Sequence, residues 1–376
     1  MTTYNLWRIN GKTYNFENFK KNHPGGSYVI EETKGHDITY LFQCNHNLTE
    51  DQATEILKKY EVQDKNDLPI IKWDSELDKI HQSLNMNHIH FTKLKTPIWG
   101  CIYYLFIGYF YIYSFKSWLF ENKYGFLFGW LGVLLGLMQH EACHNAFSKY
   151  PLLNYLGRYS LVPWASPQQW FVRHTIKHHQ FTNTIKDEDY ITTDNVLIRH
   201  HYHNELHSLH KIQILSVILY GFIISFFISI GYITILQFLL IGTHYYYHQN
   251  IIDCFIPFLV FGSYFLFISQ LNHIQENTMP SKILEYPDSF VKNQLQSSQD
   301  YSYSNLLVSC FVSFLNYQSL HHLFPSISHF YFFTHQDIFI KVLKENNYTI
   351  QQSSLFNVIK NYISHLYNLS TKKKFI

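Results

Sequence analysis

The sequence is poor in charged residues. Asp, Glu, Lys and Arg make up 15% of the 376 residues, whereas about 25% is usual for soluble domains. The formal net charge is only +2, and without a large basic excess a nucleic-acid-binding protein is not expected. Hydrophobic residues reach 47% while the mean hydropathy is slightly negative. The apolar residues must therefore be concentrated in segments.

Cysteine is scarce as well, and its pattern excludes two kinds of site. The five cysteines are odd in number and widely scattered, with no C-x-x-C pair, so neither a disulfide framework nor a thiolate metal site is predicted. We expect them to act as small buried hydrophobic residues. They are Cys44, Cys101, Cys143, Cys254 and Cys310. A signal peptide is also not predicted, because residues 1–30 are polar and contain Pro-Gly-Gly.

Hydropathy divides the chain into three parts. Residues 1–72 are predicted to form a small soluble domain, with β-type runs at Tyr4–Ile9 and Lys12–Asn15 and a helical pattern over Thr49–Tyr60. Residues 73–95 are amphipathic and predict a linker with a helix on the membrane surface. Residues 96–376 contain the long apolar runs of a membrane domain.

Four apolar runs predict membrane spans, since about 20 residues are needed to cross the hydrocarbon core. The spans are placed at Pro97–Phe115, Tyr124–Met138, Gly221–Ile241 and Ile251–Ser269. The predicted loop Gly242–Asn250 has no Lys or Arg, whereas the segment after the second span and the C-terminus are basic. The positive-inside rule therefore places both termini and residues 140–210 in the cytosol.

Histidine is abundant, with 24 residues, and one pair lies in the soluble domain. His23-Pro24-Gly25-Gly26 is followed by His46. Gly25 and Gly26 allow the backbone to turn sharply beside the His23 ring. A histidine on another short helix can then approach the opposite axial position of a haem iron. Two axial imidazoles leave no site for oxygen, which favours one-electron transfer.

Three further histidine clusters lie beside the predicted spans. On an α-helix, an H-x-x-x-H pair shares one face, whereas the second histidine of an H-H pair points about 100° away. Adjacent histidines can therefore serve neighbouring metals, and an imidazole-rich shell favours iron over magnesium or calcium. The clusters are His140-x-x-x-His144, His174-x-x-x-His178-His179 and Gln318-x-x-His321-His322.

Other histidines share this spacing without the same context. His244 and His248 fall in the loop predicted on the opposite side of the membrane. A second group follows the second cluster among polar residues, and we expect it to form a solvated or interfacial face. Its members are His200, His201, His203, His207 and His210.

The first 70 or so residues resemble cytochrome b5. The matching features are Trp7, Gly11-Lys12-x-Tyr14, the His-Pro-Gly-Gly box and Asp37…Leu41-Phe42…His46. This resemblance implies one haem b, with His23 and His46 as its axial ligands and Gly25 and Gly26 beside it.

Residues 97–335 resemble the membrane fatty-acyl desaturase family, and the glutamine of the third box resembles its front-end branch. The flanking motifs agree: Trp170…His174…Thr182-Asn183…Asp187-x-Asp189, Gln270-Leu-Asn-His273 and Leu315-Asn-Tyr-Gln318-x-x-His-His-Leu-Phe-Pro325. The resemblance implies a non-haem di-iron centre that uses O2. Its implied iron ligands are His140, His144, His174, His178, His179, His273, His321 and His322. Gln318 stands where other desaturases have a further histidine, so direct ligation, ligation through water and no ligation all stay open.

Two departures from the family pattern are visible. Glu141 replaces the usual Asp of the first box and is expected, with Asp187 and Asp189, to orient ligand imidazoles. Ser309–Phe314 occupies a stretch where a glycine pair is common, which bears on the acyl tunnel and on substrate choice.

Together the resemblances imply a multi-domain fold. A small α+β cytochrome b5-like domain precedes an all-α membrane desaturase domain with about four transmembrane helices and a cytosolic helical cap. The implied enzyme is an oxidoreductase, a front-end desaturase of Δ6 or Δ5 type that inserts a cis double bond between an existing double bond and the carboxyl end. In such an enzyme the di-iron centre would supply the hydrogen abstraction.

The implied partners are an acyl chain on coenzyme A or phospholipid, an NADH-dependent cytochrome b5 reductase, and membrane lipid. Lys373-Lys374-Phe375-Ile376 resembles an endoplasmic reticulum retrieval signal, and the alternative is a basic tail beside anionic lipid. Three other functions are weighed: a Δ8-type desaturase of sphingolipid long-chain bases, a di-iron lipid hydroxylase, and a haem-bearing metal transporter. A transporter would place its ligands near the membrane midplane.

Overall fold

The N-terminal domain is a three-stranded antiparallel sheet with three short helices. A computed structural model describes residues 6–63, 71–189, 197–201, 205–227, 232–279 and 285–371. Trp7 pairs with Tyr14 across the first two strands, and the indole of Trp7 donates to the Ile30 carbonyl in the core. The elements are β1 (Trp7–Ile9), β2 (Lys12–Tyr14), α1 (Ser27–Glu32), α2 (Thr39–Asn45), α3 (Glu50–Leu57) and β3 (Glu61–Val62).

The helical pattern predicted over Thr49–Tyr60 is confirmed. Thr49 and Gln52 form a reciprocal capping box that starts α3, and a 3-10 turn continues to Tyr60. Such a box satisfies two amide donors that would otherwise lack partners at the helix start.

Residues 75–86 form the predicted linker helix, but its apolar face is not available to a membrane. In α4 (Ser75–Met86), Leu77, Ile80 and Leu84 are fully buried in a core shared with the C-terminal part of the chain. The apolar stripe of this amphipathic helix is therefore covered by protein.

Three described helices are long and apolar enough to span a membrane. They are α5 (Ile98–Glu121), α6 (Gly125–Cys143) and α12 (Ile251–His273). Each extends several residues beyond the predicted apolar run. The extensions of α6 and α12 carry His140 and His273, which are buried by protein contacts at these helix ends. Composition alone does not detect such buried polar ends.

The described residues of the predicted third span lie in two helix segments. Two apolar helices, α10 (Gln213–Phe227) and α11 (Tyr232–His248), cover this stretch, with residues 228–231 outside the described ranges. The predicted loop Gly242–Asn250 is wrong, because α11 continues to His248. The position of this stretch is nevertheless consistent with the predicted side of the membrane. His244 stacks on Trp118, near the end of α5 that lies away from the histidine clusters.

The helical cap and the remaining short elements follow and separate these helices. They are α7 (Pro151–Gly157), α8 (Pro167–Trp170), a π-helix (Phe171–His178), α9 (His179–Phe181), α13 (Phe290–Gln296), β4 (Asp300–Tyr301), α14 (Leu306–Phe311), α15 (Gln318–Leu323), α16 (His329–Glu345), β5 (Gln352–Ser353) and α17 (Leu355–Thr371). The two short strands pair in parallel. The fold class is confirmed: a small α+β domain followed by a helical domain. The domain boundaries at residues 72 and 95 stay predictions.

The expectation of a solvated histidine face after the second cluster is wrong in part. His200, His201 and His210 are buried, whereas His207 is exposed. The Nε2 atom of His200 lies 3.2 Å from the Gln270 amide nitrogen on α12. Tertiary packing against α12 and α17 buries this polar segment. His203 and the C-terminal Lys-Lys motif lie outside the described residues.

Four of the five cysteines are at least partly buried, as expected. Cys44, Cys143 and Cys254 are buried and Cys310 is half-buried, but Cys101 is exposed on α5. All five are free thiols.

Candidate metal centres and haem site

The three histidine clusters and His273 converge at one end of the long helices. The C-terminal end of α6, the π-helix, the C-terminal end of α12 and the short α15 each supply imidazoles. All eight rings are buried. The structure therefore brings together every histidine that the desaturase resemblance implied as an iron ligand.

The imidazoles form two groups whose ring nitrogens face one another. Neighbouring Nε2 atoms in the first group are close: 2.7 Å between His140 and His174, and 3.0 Å between His179 and His321. Group one comprises His140, His144, His174, His179 and His321, and group two comprises His178, His273 and His322. In both groups, all potential ligand atoms lie within 4.8 Å of one another.

Adjacent histidines separate between the groups, as the 100° angle between their side chains predicts. His178 and His322 belong to group two, while His179 and His321 belong to group one. The prediction that both members of an H-x-x-x-H pair share a site holds for His140 and His144.

In the second cluster, the group-one partner of His174 is His179, five residues away. The two Nε2 atoms are 3.2 Å apart. Phe171–His178 is π-helical, and i→i+5 hydrogen bonding brings residues five apart onto one face. No residue pattern in this segment predicts a π-helix. His178 instead joins group two, although it also lies near His174 and Asp189.

Hydrogen bonds fix the outer nitrogens of the group-two rings. The Nδ1 of His178 donates to Asp187 at 2.9 Å, that of His273 to the Ser297 carbonyl at 2.8 Å, and that of His322 to Gln294 Oε1 at 2.7 Å. A proton on Nδ1 leaves the Nε2 lone pair facing the group, which is the arrangement that a metal requires. Sequence reasoning missed Gln294 and Ser297, because neither belongs to a histidine motif.

The electrostatic environment separates two adjacent imidazoles. Burial, together with the neighbouring rings, lowers the pKa of His179 well below its usual value. Burial also acts to lower the pKa of His178, but the Asp187 carboxylate outweighs it and raises that pKa overall. His179 is therefore a neutral ligand candidate, while His178 is the more basic of the two.

The haem-type pair is also assembled. The ring centroids of His23 and His46 are 6.2 Å apart, which leaves room for one metal ion between them. Their Nδ1 atoms donate to the carbonyls of Gly26 and Phe42, so both Nε2 atoms are free to face the gap. Burial lowers the pKa of His46 to about 4 and lowers that of His23. Two neutral imidazoles facing a common gap fit a bis-histidine haem.

A cavity of about 510 Å³ surrounds this pair and has two kinds of wall. Gly25 belongs to its wall, and an added Cβ there would lie 2.8 Å from the His23 ring. The apolar wall comes from the N-terminal domain and includes Phe19, Leu41, Phe42, Leu57 and Tyr60. The other wall comes from the helical domain and includes Cys143, His144, Asn145, Phe171 and Thr175. His144 therefore lines the haem cavity and also belongs to group one.

Comparison with protein families gives the chain's membership. A family model described as "Fatty acid desaturase" matches residues 116–354, and one described as "Cytochrome b5-like Heme/Steroid binding domain" matches residues 3–64. The chain belongs to the fatty acid desaturase family. It is an oxidoreductase that acts on acyl lipids, with a haem in its N-terminal domain and a non-haem di-iron centre that uses O2.

Several proteins named as desaturases align with most of this chain and with most of their own length. The desaturase is 29% identical to a probable Delta(5) fatty acid desaturase C of Dictyostelium discoideum, covering 99% of this chain and 93% of that protein. It is 26% identical to acyl-lipid (8-3)-desaturase B of the same organism, covering 99% and 92%. Identity to the acyl-lipid (8-3)-desaturase of Mortierella alpina is 24%, covering 85% and 83%.

Gln318 of the desaturase faces group two. Its amide nitrogen lies 3.0 Å from Nε2 of His273 and 2.8 Å from Nε2 of His322, while Oε1 accepts from Asn272. Rotating the amide by half a turn would exchange its nitrogen and oxygen. The side chain is thus placed to present an oxygen to group two.

Carboxylates surround the groups in two different ways. Asp187 and Asp189 contact His178 and His174, as expected for residues that orient ligands. Glu141 differs from that expectation. Its described hydrogen-bond donors are Thr96, Tyr104, Ser328 and the backbone N–H of His329. An acidic side chain beside the start of α16 is favourable, so Glu141 fixes this helix rather than a ligand imidazole.

His329 is a buried histidine that sequence reasoning missed. Its ring packs 4.4 Å from His321 and 5.0 Å from His140, measured between centroids. Nδ1 lies 3.5 Å from Glu141. It stands alone in the sequence, outside any histidine pair, so pattern analysis could not select it.

A narrow channel of about 130 Å³ runs from the metal groups between α6 and α12. Its polar lining includes Arg173, Asn183, Asp187 and Asp189. Its apolar lining includes Val133, Gly136, Leu137, Leu161 and Leu266. Ser313, in the stretch that departs from the family pattern, also lines it. The channel is suited to an extended apolar chain with its reacting carbons beside the histidines.

Proposed function

We propose that this desaturase is a front-end enzyme, which introduces a cis double bond between an existing double bond and the carboxyl end of a polyunsaturated acyl chain. The observation that carries the proposal is the apolar channel that begins at the two histidine groups, combined with the names of the relatives above. A Δ5 or Δ6 position is expected, because the similar proteins are named for Delta(5) and related reactions.

The di-iron ligands are assigned to the eight buried imidazoles. Group one would hold one iron and group two the other, with Gln318 completing the second through its oxygen or a bound water. These residues are His140, His144, His174, His179 and His321 for the first iron, and His178, His273 and His322 for the second. The bound centre would supply oxygen activation and hydrogen abstraction from an unactivated methylene, chemistry that side chains alone do not provide.

The protein's own contribution is orientation. Asp187 and the Ser297 carbonyl hold ligand rings through their Nδ1 protons, and such partners are important for metal affinity. The channel excludes water from the apolar chain and aligns it along α6 and α12.

Electrons would reach this site from the haem held by His23 and His46. Tethering the donor domain raises its effective concentration to about the millimolar range. Contacts between the two domains also support electron transfer from the haem to this site. Arg158 pairs with Glu32 at 2.6 Å, and Tyr28 donates to Asn145 at 2.7 Å. An NADH-dependent cytochrome b5 reductase is the proposed source of the electrons.

The acyl carrier is proposed to be a phospholipid rather than coenzyme A. Several similar proteins are named acyl-lipid desaturases. Exposed apolar side chains on α17, such as Phe356 and Tyr367, would also place the cap against lipid. An endoplasmic reticulum location with both termini cytosolic is proposed on the charge distribution and the C-terminal Lys-Lys motif.

Expression in a yeast that lacks polyunsaturated acids tests the function. Linoleic acid or a longer polyunsaturated acid would be supplied, and double bonds located by gas chromatography–mass spectrometry. A new bond on the carboxyl side is expected, appearing first in phospholipid after a short label. First appearance in acyl-coenzyme A would correct the carrier. Unsaturated long-chain bases without new fatty acids would overturn the acyl assignment in favour of sphingolipids, and hydroxylated products would favour a hydroxylase.

A further inference from the structure

Of the three glycines in the interior of α6, two are required by packing. A Cβ on Gly129 would lie 2.3 Å from the Pro257 carbonyl oxygen, and one on Gly132 would lie 2.6 Å from Nε1 of Trp164. Real contacts of Cβ atoms are not this short. These glycines therefore allow α12 and the Trp164 segment to approach α6.

Gly136 is different, because packing does not require it. A Cβ there would meet only the Leu161 side chain, at 3.4 and 3.7 Å, which are ordinary contact distances. Glycine in a helix interior is nevertheless less stable than alanine. Packing alone thus gives no reason for glycine at this position.

The space beside Gly136 belongs to the channel. Gly136 lines it one helical turn before His140. Leu137 and Leu161 form the adjoining wall of the channel. His140, which also lines it, is buried, and its Nδ1 has no hydrogen-bond partner in the described structure. A side chain at position 136 would enter a cavity of only about 130 Å³.

We propose that Gly136 is a specificity-determining residue, keeping the channel open where the acyl chain passes the first turn below the metal groups. This inference rests on the proposed function, since it identifies part of the acyl binding site. Gly136 belongs to the apolar part of the channel lining, together with Val133 and Leu161.

Two substitutions at this position, with matched controls, test the proposal. Gly136→Ala and Gly136→Leu would be compared with Gly108→Ala and Gly108→Leu. Gly108 is a suitable control because it lies inside α5, and a Cβ there has no neighbour within 4 Å. Both pairs gain the same helix stability, but only the first narrows the channel.

Binding is measured first, on the purified full-length holoenzyme in detergent, by the fluorescence of cis-parinaric acid. Gly136→Leu should weaken binding about tenfold, as overpacking of a filled site predicts, and Gly136→Ala less. Both Gly108 variants should bind like wild type. Haem absorbance and iron content should be unchanged in all four variants.

Product profiles then separate this inference from the proposed function. In yeast, Gly136→Ala should change the ratio of products from linoleic acid and from longer polyunsaturated chains, whereas Gly108→Ala should leave that ratio unchanged. Wild-type binding and product profiles in Gly136→Leu would overturn the inference while leaving the desaturase assignment intact. Weakened binding in Gly136→Leu, with no product from the wild type, would support the channel and overturn the front-end activity.

Discussion

The haem pair and the two histidine groups use the same ligand chemistry for different ends. His23 and His46 come from turns and short helices of a small domain and face each other across a single gap of 6.2 Å between ring centroids. The eight other imidazoles come from the ends of two long helices and from short helical segments packed beside them, and converge in groups of five and three. A gap closed from both sides favours electron transfer, whereas a cluster beside a channel favours chemistry on a bound chain. The protein surroundings of the imidazoles therefore determine whether they serve electron transfer or substrate chemistry.

The largest effect is expected from removing a ligand of the histidine groups. His178→Ala should reduce desaturation by more than about 100-fold and lower non-haem iron, since even partners of metal ligands contribute 10- to 100-fold. His207→Ala is the control, because His207 is exposed and shares only the H-x-x-x-H spacing of the ligand clusters. Product analysis and iron content provide the test, and full iron with normal turnover in His178→Ala would refute the assignment.

Removing a haem ligand should separate the two regions. His23→Ala is expected to abolish the haem absorbance, keep the non-haem iron, and lower conversion about 100-fold, because a tethered donor is replaced by a dilute one. Added cytochrome b5 should recover part of the loss. Loss of both metals together would mean that the regions do not fold independently of each other's cofactor.

Two carboxylates near the histidines should behave differently. Asp187→Asn should weaken iron retention by about 10- to 100-fold, because Asp187 holds His178. Glu141→Gln should instead lower the melting temperature with little loss of iron per folded molecule, because its partners are Thr96, Tyr104 and the start of α16. Iron titration and thermal unfolding distinguish the outcomes, and equal iron loss in both variants would contradict the distinction.

A moderate effect is expected at the contact between the regions. Glu32→Gln removes the charge opposite Arg158, whose side chain is 1% exposed, and unpaired buried charges weaken docking. Reoxidation of the reduced haem by the intact enzyme should slow about tenfold, measured by stopped-flow absorbance. Glu55→Gln, on the exposed side of α3, should not change this rate. An unchanged rate in Glu32→Gln would show that this ion pair does not control docking.

The smallest effect concerns pH. Burial lowers the pKa of His46 to about 4 from an ordinary 6.5, so the unfolded domain binds more protons than the folded one between these values. The stability that neutral His46 gives the haem-free domain should be complete above pH 6.5 and decline as pH falls towards 4. Denaturant unfolding of the haem-free protein at a series of pH values tests this, and a stability that is independent of pH across this window would contradict it.

Sequence reasoning found most of the site but less of its geometry. The predicted ligands converge because motif spacing and helix ends determine which residues can meet. The pairing of His174 with His179 was not predictable, because a π-helical segment has no signature in residue spacing. The burial of His200 and His210 was missed for a related reason: polar composition predicts exposure unless distant helices cover the segment.

The hydropathy pattern was similarly informative only for helix segments that are apolar enough to contact lipid. It located α5, α6 and α12 but placed their ends too early, since His140 and His273 are buried by protein rather than lipid. It also predicted one span over parts of α10 and α11, because both helices are apolar. Gly136 shows the same limitation at the level of one residue, because its proposed role depends on the space between it and Leu161, which only the folded structure shows.

The haem cavity has a thermodynamic consequence. Residues from both domains line it, with His23 on one side and His144 on the other, so haem binding and domain docking share contacts. By linkage, whatever free energy docking adds to haem affinity, haem must add to docking. The cofactor thus acts as a ligand of the interface, and a chain that has lost its haem should hold its two domains together less tightly.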